Sequence, residues 1–154
     1  MLAFMDRGGE TGALVRALGW QSTLLGSPLH WPQPLKTLAG VMLAAEQPTF
    51  VASGDQRTPI YNDRYVPLLA DRYPWALGKP FFEVWAEVSA ALTPPFDQVF
   101  SGVPIHMDDI ELVLDRPGKS PEAHFAFSYT PVRPASTRYR RRPARWRRPV
   151  ARKW

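Results

Sequence analysis

The chain contains no cysteine among its 154 residues. That absence excludes disulfide bonds, thiolate metal sites and a cysteine nucleophile. Long apolar runs are also absent, since no segment approaches the roughly 20 apolar residues that span a bilayer. The first residues, 1–9, have neither the basic flank nor the apolar core of a signal peptide. These absences predict a cytoplasmic protein.

The short motifs of common enzyme classes are missing as well. No P-loop, G-x-G-x-x-G or G-x-S-x-G pattern occurs. His30, His106 and His124 are far apart, and none has the close spacing of a metal site. The acidic run at 108–111 contains carboxylates that suit acid–base work, but a solvated strand face is the favoured interpretation. We therefore predict no catalytic residue, no metal and no cofactor, and a chain that is not an enzyme by itself.

The positive charge of the chain is concentrated at one end. The formal net charge is +5, but residues 138–154 hold nine of the 19 Lys and Arg residues and no acid. Residues 1–137 therefore hold ten basic and 14 acidic side chains, a net charge of −4. The main part of the chain is mildly acidic, so the overall basicity describes the tail alone.

Apolar spacing predicts two helices near the N-terminus. The first covers about Glu10–Leu18, and the second covers about Gln33–Ala45, with Pro34 in its first turn and Pro48 after its end. Seventeen prolines limit the length of any helix. We expect residues 1–48 to form a helical N-terminal extension.

Residues 49–133 mix strand and helix patterns. Thr49–Ser53 and Pro59–Tyr61 read as a hairpin, and Ile105–Asp115 and Glu122–Val132 as two further strands, the last with strict alternation. Short helices are predicted at 64–70 and 81–91. Pro94-Pro95 is expected to interrupt the path after the second, before further helical turns at 96–101. The pattern predicts an α+β fold.

Three segments resemble a PAS sensor domain of the type found near the N-terminus of bacterial sensor histidine kinases. They are YNDRY at 61–65, PWALGKP at 74–80 and EVW at 83–85, supported by a weaker match over 23–36. The resemblance implies a PAS-like antiparallel sheet with flanking short helices over 49–133. It also implies signal sensing or relay at the input end of a two-component system. The phospho-accepting histidine segment and the ATP-binding domain of such kinases are absent from these residues.

Small-molecule binding is the site hypothesis that follows from the resemblance. Aromatic side chains of 61–85 lie over one face of the sheet in the family, where a concave apolar pocket with a few polar groups suits a small ligand. The alternative is that these aromatics fill the core. The signal itself is unknown. Partners implied are a second copy, a kinase output domain or a small molecule, and no membrane. The candidate ligand-binding residues are Tyr61, Asn62, Tyr65, Trp75, Phe82, Trp85 and Ser128.

The tail, residues 134–154, departs from the family where the last sheet strand should begin. Its Arg-, Pro- and Trp-rich sequence favours a shifted reading frame, and hence a truncated or frameshifted fragment. A basic arm that neutralises phosphates and stacks on bases is the alternative, which would make the chain a nucleic-acid-binding protein. A solvated tail without a role also remains open. We expect a disordered basic tail and a sheet whose last strand is missing.

Overall fold

A computed structural model describes residues 2–115, 117–118, 122–132 and, for the backbone, 146–153. The fold is α+β, as predicted. Among these residues no helix is long and apolar enough to cross a membrane. The helices are α1 (Gly9–Ala17), α2 (Gln33–Leu43), α3 (Val66–Leu69), α4 (Phe81–Val84) and α5 (Ser89–Ser101). The strands are β1 (Phe50–Ser53), β2 (Thr58–Tyr61), β3 (Ile105–Val113), β4 (Glu122–Val132) and β5 (Trp146–Lys153).

The two N-terminal helices begin and end close to their predicted bounds. Helix α2 packs against β1 and β2 and buries Leu35, Ala39 and Met42. Short 3-10 turns between α1 and α2 bring Trp20 and Trp31 edge to face, with ring centroids 4.9 Å apart. These residues belong to one hydrophobic cluster with those of the sheet. The hydrophobic core therefore continues across the predicted boundary at residue 48.

Strands β1 and β2 form the predicted antiparallel hairpin, paired from Phe50↔Tyr61 to Ser53↔Thr58. The turn between them has Gly54 and Arg57 at positive φ, 78° and 53°. Arg57 is a non-glycine residue in the left-handed region, which residues with a Cβ adopt rarely and only singly. Its side chain is held by contacts with α5, described below.

The prediction of one helix over 81–91 with a break at Pro94-Pro95 is wrong. The break lies at Trp85 instead, and α5 continues through both prolines. Each interior proline costs about 3 kcal/mol. Burial of Leu92, Phe96 and Val99 along α5 offsets this cost, since each such side chain contributes about 1.5–3 kcal/mol. Because Pro94 and Pro95 have no N–H, the carbonyls of residues 90 and 91 lack their usual helical donors. Both residues are exposed, so water reaches these carbonyls.

Strands β3 and β4 form a second antiparallel hairpin, with an irregularity between Met107 and Ile110. Strand β4 covers the predicted residues, and its alternation is confirmed. Phe125, Phe127 and Tyr129 face the helices and are buried, while His124 faces the opposite side. Leu112 and Leu114 add the apolar side of β3 to the same inner face.

The expectation that the last strand is missing is wrong. Strand β5 lies between the two hairpins, in the sheet order β2-β1-β5-β4-β3. It pairs with β4 from Val132↔Trp146 to Phe125↔Lys153 and with β1 at Ala52↔Arg147. Strand pairing uses backbone N–H and C=O groups, so a sequence without apolar alternation still pairs with β4 along its length, although Pro149 supplies no N–H. The rest of the predicted disordered tail, 134–145 and 154, lies outside the described residues.

Candidate functional site

An apolar cavity of about 40 Å³ lies between the short helices and the inner face of the sheet. The helix side is lined by Tyr65, Leu68, Phe81, Trp85, Val88 and Leu92. The sheet side is lined by Phe50, Leu112, Leu114, Phe125, Phe127 and Tyr129. A dry apolar cavity of about 150 Å³ binds benzene or xenon, so this smaller cavity suits an occupant of only a few heavy atoms.

The polar groups of the cavity wall are uncharged. Among the described lining residues there is no charged side chain, and the polar atoms belong to Tyr65, Trp85 and Tyr129. Burial raises the pKa of Tyr65 well above the ordinary tyrosine value, although a hydrogen bond with the Trp85 side chain partly opposes the shift. Burial also raises the pKa of Tyr129. Both phenols therefore stay neutral at physiological pH, and the wall favours a neutral ligand.

Two of the seven candidate residues, Tyr65 and Trp85, line this cavity. Helix α3 begins directly after Tyr65, and the irregular backbone that ends α4 places Trp85 opposite it. The YNDRY and EVW segments that carry the family resemblance therefore each supply one wall residue, Tyr65 and Trp85. Both side chains are also core, since they are at least 94% buried.

Tyr61 and Asn62 are buried away from the cavity, and Asn62 fastens the end of β2 to the end of α2 and the segment that follows it. The Asn62 amide nitrogen donates to the carbonyls of Met42, Ala45 and Gln47 at 2.9–3.1 Å. Its Oδ1 accepts from the backbone N–H groups of Tyr65 and Thr49, both at 3.2 Å. The first of these bonds caps the following turn, as the sequence predicts for Asn at this position. Asn62 is therefore a structural junction rather than a ligand contact.

Trp75, Phe82 and Ser128 lie outside the cavity wall. Trp75 is 47% exposed at the surface. Phe82 is half-buried beneath the guanidinium of Arg57, whose carbon lies 5.7 Å from the ring centroid. Ser128 is on the outer face of the sheet, because it is out of phase with Phe127 and Tyr129 along β4.

The outer face of β3 and β4 carries a polar network. The ring nitrogens of His106 contact Ser128 Oγ and Asp108 Oδ1, each at 2.6 Å. His124 Nδ1 lies 2.8 Å from Asp109 Oδ1. These histidines and aspartates are more than half exposed, so water competes with the partner side chains for hydrogen bonds. Among the described residues no group of three or more His, Asp or Glu side chains is arranged to hold a metal ion.

Sequence reasoning missed the sheet side of the cavity. Phe125, Phe127 and Tyr129 alternate along β4, and this signal identified their shared face but not the space above it. The sequence pattern predicts Leu112 and Leu114 only as residues of a strand over Ile105–Asp115. The cavity depends on how the short helices sit over the sheet, which periodicity does not encode.

Comparison with protein-family models and with curated proteins finds no match for this chain. The PAS resemblance therefore rests on the motifs of 61–85 and the weaker match over 23–36.

Proposed function

We propose that the chain is a signal-sensing or relay module of the PAS type, resembling the input domain of a two-component sensor histidine kinase. The observation that carries the proposal is the apolar cavity enclosed between α3, α4 and α5 and the inner face of the antiparallel sheet. Two residues of the family-like segments, Tyr65 and Trp85, form part of its wall. Apolar cavities with a few placed polar groups are the common form of small-molecule sites.

The proposed signal is a small neutral molecule. Such a ligand shifts the balance between conformations only by as much as it prefers one of them. Its contacts would bridge Trp85 and Tyr65 on the helix side and Phe127 on the sheet side. Occupancy would tighten the helices on the sheet, and the change would pass to a second copy or to a kinase output domain. The proposal assigns no catalytic step to the chain itself.

A thermal-unfolding screen with small neutral molecules tests the proposal. The panel contains xenon, ethene, acetone and benzene, and the matched control is Leu112→Phe, which fills the cavity from the sheet side. At least one of the smaller molecules should raise the midpoint of the wild-type chain and leave that of the control unchanged. If none raises it, or both proteins respond equally, the cavity is not a ligand site.

Nucleic-acid binding through the tail is the second candidate, favoured by the nine basic residues of 138–154. Part of this segment, 146–153, is already paired in the sheet. A DNA-binding arm would therefore depend on the cluster at 138–142. Replacing its four arginines by serine should lower the salt-dependent retention on DNA if the tail binds phosphates. Equal retention of the variant and the wild type eliminates this candidate.

We also propose that the reading frame shifts near Pro134. Support comes from the abrupt change in composition, since 138–154 combine Arg, Pro and Trp without a single acid. Resequencing the locus tests the idea. An intact frame across Arg133 that encodes this same tail contradicts it.

A further inference from the structure

Arg72 is the one buried charged residue among those that the structure describes, with 6% of its surface exposed. Its Nε donates to the carbonyl of Val84 at 2.9 Å, and Nη2 donates to the carbonyl of Asp115 at 3.3 Å. Nη2 also pairs with the carboxylate of Glu87. Glu87 in turn accepts from the backbone N–H of Asp115 at 3.3 Å. The guanidinium therefore joins the end of α4, the turn after it and the end of β3.

The same guanidinium lies over the indole of Trp85, 4.5 Å from the ring centroid. A desolvated cation over an aromatic face adds attraction to ordinary packing. Because the planar fork is fixed by hydrogen bonds on its edges, its flat face gives the indole one favoured position. Trp85 is also a wall residue of the cavity, so the position of its indole limits the space there.

We propose that Arg72 is a positioning residue for the cavity: it holds Trp85 in place as a wall, keeps the cavity small, and so restricts it to small neutral molecules. This inference rests on the proposed sensing function, because it assigns the selectivity of the same cavity. The alternative role is that Arg72 only fastens the end of β3 to the helices through Glu87.

Arg57 provides a matched control. Its guanidinium also stacks on aromatic rings, 4.6 Å from the centroid of Phe100 and 5.6 Å from that of Phe96, and it pairs with Asp97. Neither of these rings is among the described lining residues of the cavity. Arg57→Met removes a cation–π contact of the same kind and leaves Trp85 untouched.

The first measurement is the hydrogen exchange of the Trp85 indole N–H, which needs no ligand. In Arg72→Lys, which keeps the charge, and in Arg72→Met, this proton should exchange roughly tenfold faster or more, relative to the slowest backbone amides of the same variant. In Arg57→Met the relative exchange should match that of the wild type. If the Arg72 variants keep the wild-type ratio, Arg72 does not position Trp85 and the proposal is overturned.

The second measurement is probe selectivity by methyl NMR. The wild-type chain should bind xenon and not benzene, because the cavity is too small for a ring. Arg72→Lys should bind xenon several-fold more weakly and gain binding of benzene, since a displaced Trp85 widens the space. An unchanged preference in Arg72→Lys overturns the selectivity role. If the wild type binds neither probe, the ligand site itself fails, while indole exchange still decides whether Arg72 positions Trp85.

Discussion

The carboxylate of Asp63 accepts a hydrogen bond of 2.6 Å from the backbone N–H of Thr11, which lies 52 residues earlier in the chain. It also accepts from the N–H of Glu10 at 3.2 Å. Asp63 thus caps the N-terminus of α1, where unpaired N–H groups and the helix dipole favour an anion. The YNDRY segment at 61–65 therefore supplies a remote cap through Asp63 as well as a wall residue of the cavity, Tyr65.

Replacing Asp63 by Asn is expected to lower the free energy of unfolding by about 0.3–1 kcal/mol at neutral pH, the usual worth of a negative charge at a helix N-terminus. Burial raises the pKa of Asp63, but the hydrogen bonds from Thr11 and Glu10 and the charge of Arg64 lower it below the ordinary value overall. The stability from this carboxylate is therefore present above the unfolded pKa and lost as pH falls through the folded pKa.

Urea unfolding of the wild type and Asp63→Asn across acid pH checks this expectation. The two curves should converge below about pH 4, the range where aspartates protonate. The control is Asp55→Asn, which changes an exposed aspartate of the β1–β2 turn. The difference in its free energy of unfolding from the wild type should not change over this pH range. A gap that persists at low pH contradicts a charged cap.

Gly9 is required because Asp63 approaches it closely. Its φ is +58°, and a Cβ at this position would collide with Asp63 Oδ2. Gly9→Ala should therefore destabilise the chain by more than about 1 kcal/mol, through both backbone strain and displacement of the cap. Gly26 has a similar φ of +64° with nothing near its would-be Cβ. Thermal unfolding should show a smaller loss for Gly26→Ala, and equal losses would refute the steric part.

Enlarging the cavity from the sheet side should weaken the fold and widen its ligand range. Leu112 is 7% exposed and lines the cavity. Leu112→Ala is expected to cost about 2–5 kcal/mol, because lost contacts and a larger void both count. Calorimetry with benzene should then show stabilisation of the variant. The neighbouring Val113→Ala, at a 61% exposed site, should change stability little. A benzene effect of equal size in both variants would argue against a defined cavity.

His124 should titrate above the ordinary histidine range. The largest effect that raises its pKa is the hydrogen bond with Asp109, and the charges of Asp109, Glu111 and Glu122 raise it further. The pairing therefore contributes stability below the unfolded pKa and loses it as pH rises through the folded pKa. NMR titration of the ring protons should show the pKa of His124 falling in Asp109→Asn. An unchanged midpoint would mean that Asp109 is not its partner.

Local patterns predicted the elements whose stability is local. Strand β4 was predicted over its full length because one face is buried, so period-two alternation is strongly constrained. The cap from Asn62 to Tyr65 was also within reach, since it spans three residues. The cap from Asp63 to α1 was not, because no spacing rule connects positions 52 residues apart.

Three further features depend on tertiary context. Helix α5 continues through Pro94 and Pro95 because its buried face offsets the lost hydrogen bonds. Strand β5 forms from a segment without apolar alternation, since strand pairing is made by the backbone and β4 offers an open edge along the length of β5. The cavity arises where Trp85 leaves the helical path, a break that the apolar spacing of 81–91 concealed.

Xenon titration of the methyl-labelled wild-type chain tests whether the cavity between the helices and the sheet binds a small molecule. We expect saturable shifts at the methyl groups that line the cavity, those of Leu68, Val88, Leu92, Leu112 and Leu114. Val15 and Leu35, fully buried in the core but outside the described cavity lining, should not respond. Shifts that are absent, that do not saturate, or that are equally large at Val15 and Leu35 would contradict a small-molecule site between the helices and the sheet.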